Sequence, residues 1–171
     1  MPCLPVVQDR GRHLGSYNGE KGVVEKALAG SSVKAGDRVV GLKFEGAWAE
    51  RVAVPESFIA SMPDQVSFEH ASTLPVAGLT AAIALATKPL KPGDGALITA
   101  ATGGVGTFAI QLAAKAQAHV VAFARCESDA PRLVALGAHE VAASINDAKR
   151  LGPYDLILEG VGGALLGHAL S

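Results

Sequence analysis

The sequence predicts an α/β fold in which a parallel sheet of about four strands fills the second half of the chain, preceded by a shorter β-rich segment. Three observations support this. From Ala96 onward, apolar runs of strand length alternate with segments of helical period, the order of a βαβ chain. Gly, Pro or Asp residues punctuate these runs. Hydrophobic residues make up 49% of the 171 residues and charged residues 18%, so a buried core forms; aromatics at 5% and 20 glycines indicate packing by small side chains, which suits a parallel sheet covered by helices.

In chain order, residues 1–32 show no clear period, and only Gly22-Val23-Val24-Glu25 reads as a short strand. Lys34-Ala35-Gly36-Asp37 is a tight turn feeding a strand over Arg38-Val39-Val40-Gly41-Leu42. Residues 47–54 alternate large apolar and polar positions, as a half-buried strand does, and Pro55 ends them. Ser67 is a good N-cap for a helix, with His70 where a capping box prefers Glu or Gln. A second apolar helix covers 78–87 and stops before Pro89.

After the turn Pro92-Gly93-Asp94-Gly95, Ala96–Ala100 reads as a buried strand. Helix 105–116 follows, with Val105, Ala109, Leu112, Ala113 and Ala116 assigned to one face. His119–Ala124 is the next strand, and helix 130–136 ends at Gly137, a suitable C-cap. Val141–Ala143 and Tyr154–Glu159 complete four strands, the last followed by Gly160-Val161-Gly162-Gly163. The pattern β-α-β-α-β-α-β closes naturally as a parallel sheet of Rossmann type. Ser171 falls inside the next expected helix, and a six-stranded sheet of this type would have two further strands, so the chain reads as partial.

The strongest chemical signal is Ala100-x-x-Gly103-x-x-Gly106 between a buried strand and an amphipathic helix. A diphosphate must approach the first turn of a helix, where unpaired N–H groups and the helix dipole stabilise its charge. Side chains at Gly103 and Gly104 would block that approach, Gly106 allows close helix packing, and Thr102 offers a hydroxyl. The alternative is a glycine turn kept for packing alone. No Gly-Lys-Ser/Thr follows, so this is not a P-loop. At the end of the second strand, Ala124 and Arg125 stand where an NAD site would place Asp or Glu. A cation there suits a 2′-phosphate and favours NADPH over NADH, although Glu127 and Asp129 are close in sequence and Arg125 also reads as a solvated surface residue.

The runs GDRVVGLKFEGAWAERVAVP, LPVAGLTAAIAL, AATGGVG with AIQLAAKA, LGAHEV and YDLILEGVGG resemble the zinc-independent quinone oxidoreductases of the medium-chain dehydrogenase/reductase superfamily, with its enoyl-reductase-type domain. The likeness covers about residues 33–170. It implies part of a GroES-like catalytic domain over 1–60, connecting helices over 61–90 and part of a Rossmann NAD(P)-binding domain over 91–171. It further implies an oxidoreductase passing a hydride from NADPH to a quinone or an activated carbonyl or alkene, and a homodimer in the full-length form. Ala100, Gly103, Gly104, Val105 and Gly106 match the family's pyrophosphate loop, Thr80 a threonine near the nicotinamide, and Val161 and Gly162 a loop bordering the cofactor. A hydroxyl bonded to its own helix backbone is the other reading of Thr80.

The chain departs from the family at several places. Gln117 stands where relatives usually have the glycine that ends the helix; a left-handed Gln there costs about 1 kcal/mol. Asp129 replaces a basic residue often found there. Zinc-dependent relatives carry a Gly-His-Glu motif, whereas this chain has Asn18-Gly19-Glu20-Lys21-Gly22, and its five histidines show no ligand spacing, so no zinc is expected.

A formal net charge of −1 supplies no basic field for nucleic acid, leaving a small-molecule substrate as the expected partner. Cys3 and Cys126 form no CxxC pair and suit a reducing cytoplasm. Helix 105–116 is too short to span a bilayer, so no membrane association is expected. No catalytic acid or base can be named. The alternative function is a truncated, catalytically inactive nucleotide-binding fragment or interaction module.

Overall fold

The computed structural model describes residues 6–8, 19–44 and 49–169. The chain divides into two units, Met1–Val76 and Ala77–Ser171, the boundary falling within a π-helical turn at Leu74–Gly78.

The first unit is built on a five-stranded antiparallel sheet of β1 (Val6–Gln8), β2 (Gly19–Lys26), β3 (Arg38–Leu42), β4 (Arg51–Ala53) and β5 (Ile59–Ser61), in the order β4-β1-β2-β3-β5. β3 occupies the five residues its sequence predicts. β4 is shorter than the expected 47–54, and residues 47 and 48 lie outside those described. Val7, Val24, Val39, Val52 and Val54 form the core of this unit, one buried face of an alternating sheet. Glu56 accepts hydrogen bonds from both hydroxyls of Ser31 and Ser32, which pins the loop before β3. Arg38 donates to the carbonyls of Pro63, Asp64 and Val66 and lies over the Phe68 ring, fixing the entry to α1 (Phe68–Ser72). Ser67 caps that helix as expected, accepting the His70 N–H at 3.2 Å.

The second unit begins with α2 (Leu79–Ala86) and continues as β6 (Gly95–Ile98), α3 (Gly104–Lys115), β7 (His119–Phe123), α4 (Ala130–Ala135), β8 (Glu140–Ala142), α5 (Ile145–Arg150), β9 (Leu156–Leu158) and α6 (Gly163–Ala169). Its four strands are all parallel, in the order β8-β7-β6-β9. This is the α/β fold with a four-stranded parallel sheet that the sequence predicts. Alternate residues of the central strands enter two separate cores. Ala96, Ile98, Val120 and Ala122 pack with α2, α3 and α4, while Leu97, Val121 and Phe123 pack with α5 and α6. Ile98, Ile110 and Leu133 are wholly buried, each contributing roughly 2 kcal/mol. β9 forms one edge of the sheet, and all three of its residues are half-buried.

The buried stripe of α3 is Gly106, Ala109, Ile110 and Ala113, and Leu112 is exposed. The expected face, which included Leu112, is therefore rotated: the i, i+3, i+4, i+7 set starts from a glycine, which carries no apolar side chain to count. At the C-terminal end of α3, Gln117 adopts φ 62°, the left-handed conformation expected for a residue in the family's glycine position.

Candidate nucleotide site

The chain runs from β6 outward to β7 and β8, then returns across β6 to place β9 on its other side. Such a reversal of strand order opens a crevice at the C-terminal ends of the two diverging strands, β6 and β9. The residues singled out in the sequence fall on the segments that leave these ends and that of β7.

The turn after β6 contains Ala100 at φ 47°, left-handed for a residue with a side chain. Its carbonyl accepts the Gly103 N–H at 2.9 Å, so that amide is used within the turn. The N–H groups of Gly104, Val105 and Gly106 make no hydrogen bond among the described residues, because helical bonding starts with Thr107 donating to Gly103. They stand at the positive end of a twelve-residue helix. Gly103 and Gly104 are exposed, as is Thr102, whose hydroxyl has no partner among the described residues.

The glycines meet different neighbours. A Cβ at Gly106 would lie 2.8 Å from Ala101 Cα and closer still to the Ala100 carbonyl oxygen, so the helix touches the turn itself more closely than the strand. A Cβ at Gly104 would meet Ala77 at 3.1 Å. That contact brings the start of the α2 segment against the first turn of α3. Thr80 is exposed on α2, and its hydroxyl makes no bond among the described residues, whereas Thr73, Thr87 and Thr107 each donate to their own helix carbonyls. The backbone-bonded reading of Thr80 is therefore set aside.

Arg125 follows β7 and is exposed, without an ion pair among the described residues; Glu127 and Asp129 lie in the next 3₁₀ turn and do not pair with it. Exposed Cys126 accepts a hydrogen bond from Ser128 at 3.4 Å.

Beyond β9, Val161 is exposed and Gly162 half-buried with φ 78°. Glu159 and Thr99, neither singled out in the sequence, organise this loop. Thr99 is the one fully buried polar residue among those described. Its hydroxyl donates to Glu159 Oε1 at 3.0 Å and accepts the Gly160 N–H at 2.9 Å. Glu159 also accepts the Val161 N–H at 2.9 Å and the Gly162 N–H at 2.7 Å. Desolvation pushes the Glu159 carboxyl up, but the two backbone N–H groups and the Thr99 hydroxyl together outweigh it and hold the group below the usual glutamate range. The sequence signal for this network is a hydroxyl in an otherwise apolar strand, which needs a partner when buried. A Cβ at Gly160 would touch Ala100 Cβ at 3.4 Å, so the loops after β6 and β9 adjoin.

Among the described residues no group of three or more His, Cys, Asp or Glu side chains is placed to hold a metal ion. His119 and His139 stack with ring centroids 4.8 Å apart; His139 Nδ1 accepts the Val120 N–H and His119 pairs with Glu140. Cys3, His13 and Asn18 lie outside the described residues, and Gly19–Gly22 lies in β2. No helix among the described residues is long and apolar enough to cross a membrane.

A parallel sheet with a glycine turn, unpaired helix N–H groups and a strand-order reversal defines a Rossmann-type unit. No protein-family model matches the chain. It is 38% identical over 130 residues to a chloroplast envelope quinone oxidoreductase homolog of Arabidopsis thaliana, covering 71% of this chain and 36% of that protein. Among solved structures, the quinone oxidoreductase of Pseudomonas syringae pv. Tomato DC3000 superposes with a TM-score of 0.86 at 28% identity, covering 99% of this chain and 61% of that one. The quinone oxidoreductase of Thermus thermophilus, solved also in complex with NADPH, gives 0.76 at 32% identity, covering 97% and 60%. The chain is similar to quinone oxidoreductase-like members of the medium-chain dehydrogenase/reductase superfamily. It spans 36% of the length of the Arabidopsis relative and 61% and 60% of these two solved chains.

Proposed function

We propose that the second unit binds NADPH along the C-terminal ends of β6, β7 and β9, and that the protein is an oxidoreductase acting on a quinone or an activated carbonyl or alkene. One observation carries this reading: three unpaired amides at the start of α3, beside exposed glycines, at a strand-order reversal. The NADPH complex of the Thermus thermophilus relative supports it.

In this reading the N–H groups of Gly104, Val105 and Gly106 bind the diphosphate, with Thr102 adding a hydroxyl at the rim. Ala100 and Gly103 hold the turn in shape through their mutual bond. Arg125 faces the 2′-phosphate, supplying charge without a competing internal partner. Thr80, with its uncommitted hydroxyl, and the Val161–Gly162 loop border the nicotinamide half. Bound reduced nicotinamide supplies the hydride, so the protein's share of the work is to bind, orient and exclude water.

Titration of the purified chain with NADPH and NADH, followed by nicotinamide fluorescence, tests the site. Saturation with NADPH at lower concentration than with NADH is expected, and saturation with neither rejects the reading. Oxidation of NADPH by a simple quinone tests the reaction. Binding without turnover would make the chain a nucleotide-binding module.

A further inference from the structure

The two loops at the strand-order reversal have opposite hydrogen-bonding character. The turn after β6 presents unpaired donors. In the loop after β9, the three consecutive amides of Gly160, Val161 and Gly162 are all occupied, the first by Thr99 Oγ1 and the other two by the Glu159 carboxylate. The left-handed backbone at Gly162 (φ 78°) and Gly163 (φ 60°) allows a bend this tight. A ligand meeting this loop finds carbonyl oxygens and no main-chain N–H from these three residues, so a phosphate gains nothing there while a hydroxyl or amide donor does.

We infer that Glu159, seated on Thr99, is a positioning residue that turns the amides of the β9 loop inward and leaves the loop as an acceptor surface for the donor groups of the nicotinamide riboside half. This rests on the NADPH reading above and extends it by assigning opposite polarities to the two ends of the site. Glu159 acts through the backbone it holds. Its carboxylate is well suited to this, since both oxygens accept and neither donates, and the depressed pKa keeps the group ionised at neutral pH.

The test compares two probes on the full chain: NADPH, and 2′-phosphoadenosine 5′-diphosphate, which retains the adenosine, the 2′-phosphate and the diphosphate but lacks nicotinamide riboside. Glu159→Gln puts an NH₂ group where an acceptor oxygen faces a backbone N–H, and Thr99→Val frees the Gly160 amide. Glu159→Gln is expected to raise the Kd for NADPH about tenfold, and Thr99→Val to raise it by less, while the Kd for the shorter probe stays within about twofold in both. The unchanged shorter probe also shows that each variant is folded. Unchanged NADPH affinity in Glu159→Gln overturns the inference, as does an equal loss for both probes, which would mark a general structural role. If the wild-type chain binds the shorter probe as tightly as NADPH, the inference fails while nucleotide binding stands. If it binds neither, the nucleotide reading itself fails.

Discussion

Substitutions at Gly106 and Gly103 are expected to separate folding from binding. At Gly106 a methyl would stand 2.8 Å from Ala101 Cα, with the Ala100 carbonyl oxygen nearer still, and neither backbone atom can step aside. Overpacking of this kind costs about 1–3 kcal/mol, partly offset by the roughly 1 kcal/mol by which alanine favours a helix over glycine. Gly106→Ala is therefore expected to lower stability by up to about 2 kcal/mol. Gly103 has φ −76°, open to any residue, and its Cβ would have one close neighbour, the Ala100 carbonyl oxygen at 3.2 Å. Gly103→Val is thus expected to change stability by less than about 1 kcal/mol while crowding the first turn of α3. Urea unfolding with and without NADPH reads both effects, since ligand at 100 times its Kd adds about 2.7 kcal/mol to a protein that binds it only when folded. Gly103→Val should show a baseline close to wild type and lose this increment; Gly106→Ala should show the lowered baseline. A full increment in Gly103→Val refutes the placement of the diphosphate at this turn.

Three further outcomes are expected. Gln117→Gly relieves an exposed left-handed residue at φ 62° and should stabilise the chain by about 1 kcal/mol, read as a higher urea midpoint at unchanged m-value; a lower midpoint would show that the Gln side chain contributes more than its backbone strain. Arg125→Ala should raise the Kd for NADPH about tenfold at low salt, less at high salt, and leave NADH unchanged; equal effects on both cofactors would remove Arg125 from the 2′-phosphate. Hydrogen bonds from Ser32 and Ser31 hold the Glu56 carboxyl below its ordinary 4.5, and Glu159 is depressed as well. As pH falls below that value the unfolded chain takes up protons before the folded one does, so the urea midpoint should fall progressively below about pH 4.5; a midpoint constant from pH 5 to pH 3 would contradict this.

The second unit is legible in the sequence because its two central strands are buried on both faces and its strands read as short, largely apolar runs between turn residues, so that β6, β7, β8 and β9 each fall within two residues of expectation. In the first unit β3 is equally plain, but β1 and β5, at three residues each, are too short to show a period. β1 is defined by pairing with both β2 and β4, and neither partner can be inferred from Val6-Val7-Gln8. α5 has a local signal of its own: Ser144 caps it by accepting the Asp147 N–H at 3.1 Å, and S-x-x-D is a legible helix start.

The site divides along the same line. The glycine turn can be read because its chemistry is local, with strand, bend and helix contiguous in the chain. Even so, the sequence cannot separate Gly103, whose amide closes the bend, from Gly104, whose amide stays open, since that depends on Ala100 entering the left-handed region. Thr99 and Glu159 lie 60 residues apart and meet only because the strand order reverses between β6 and β9. A buried hydroxyl announces that it needs a partner but cannot name it. The reversal of strand order that brings the loops after β6 and β9 together therefore also creates the network between them, and for that reason the network becomes visible only once the sheet order is known.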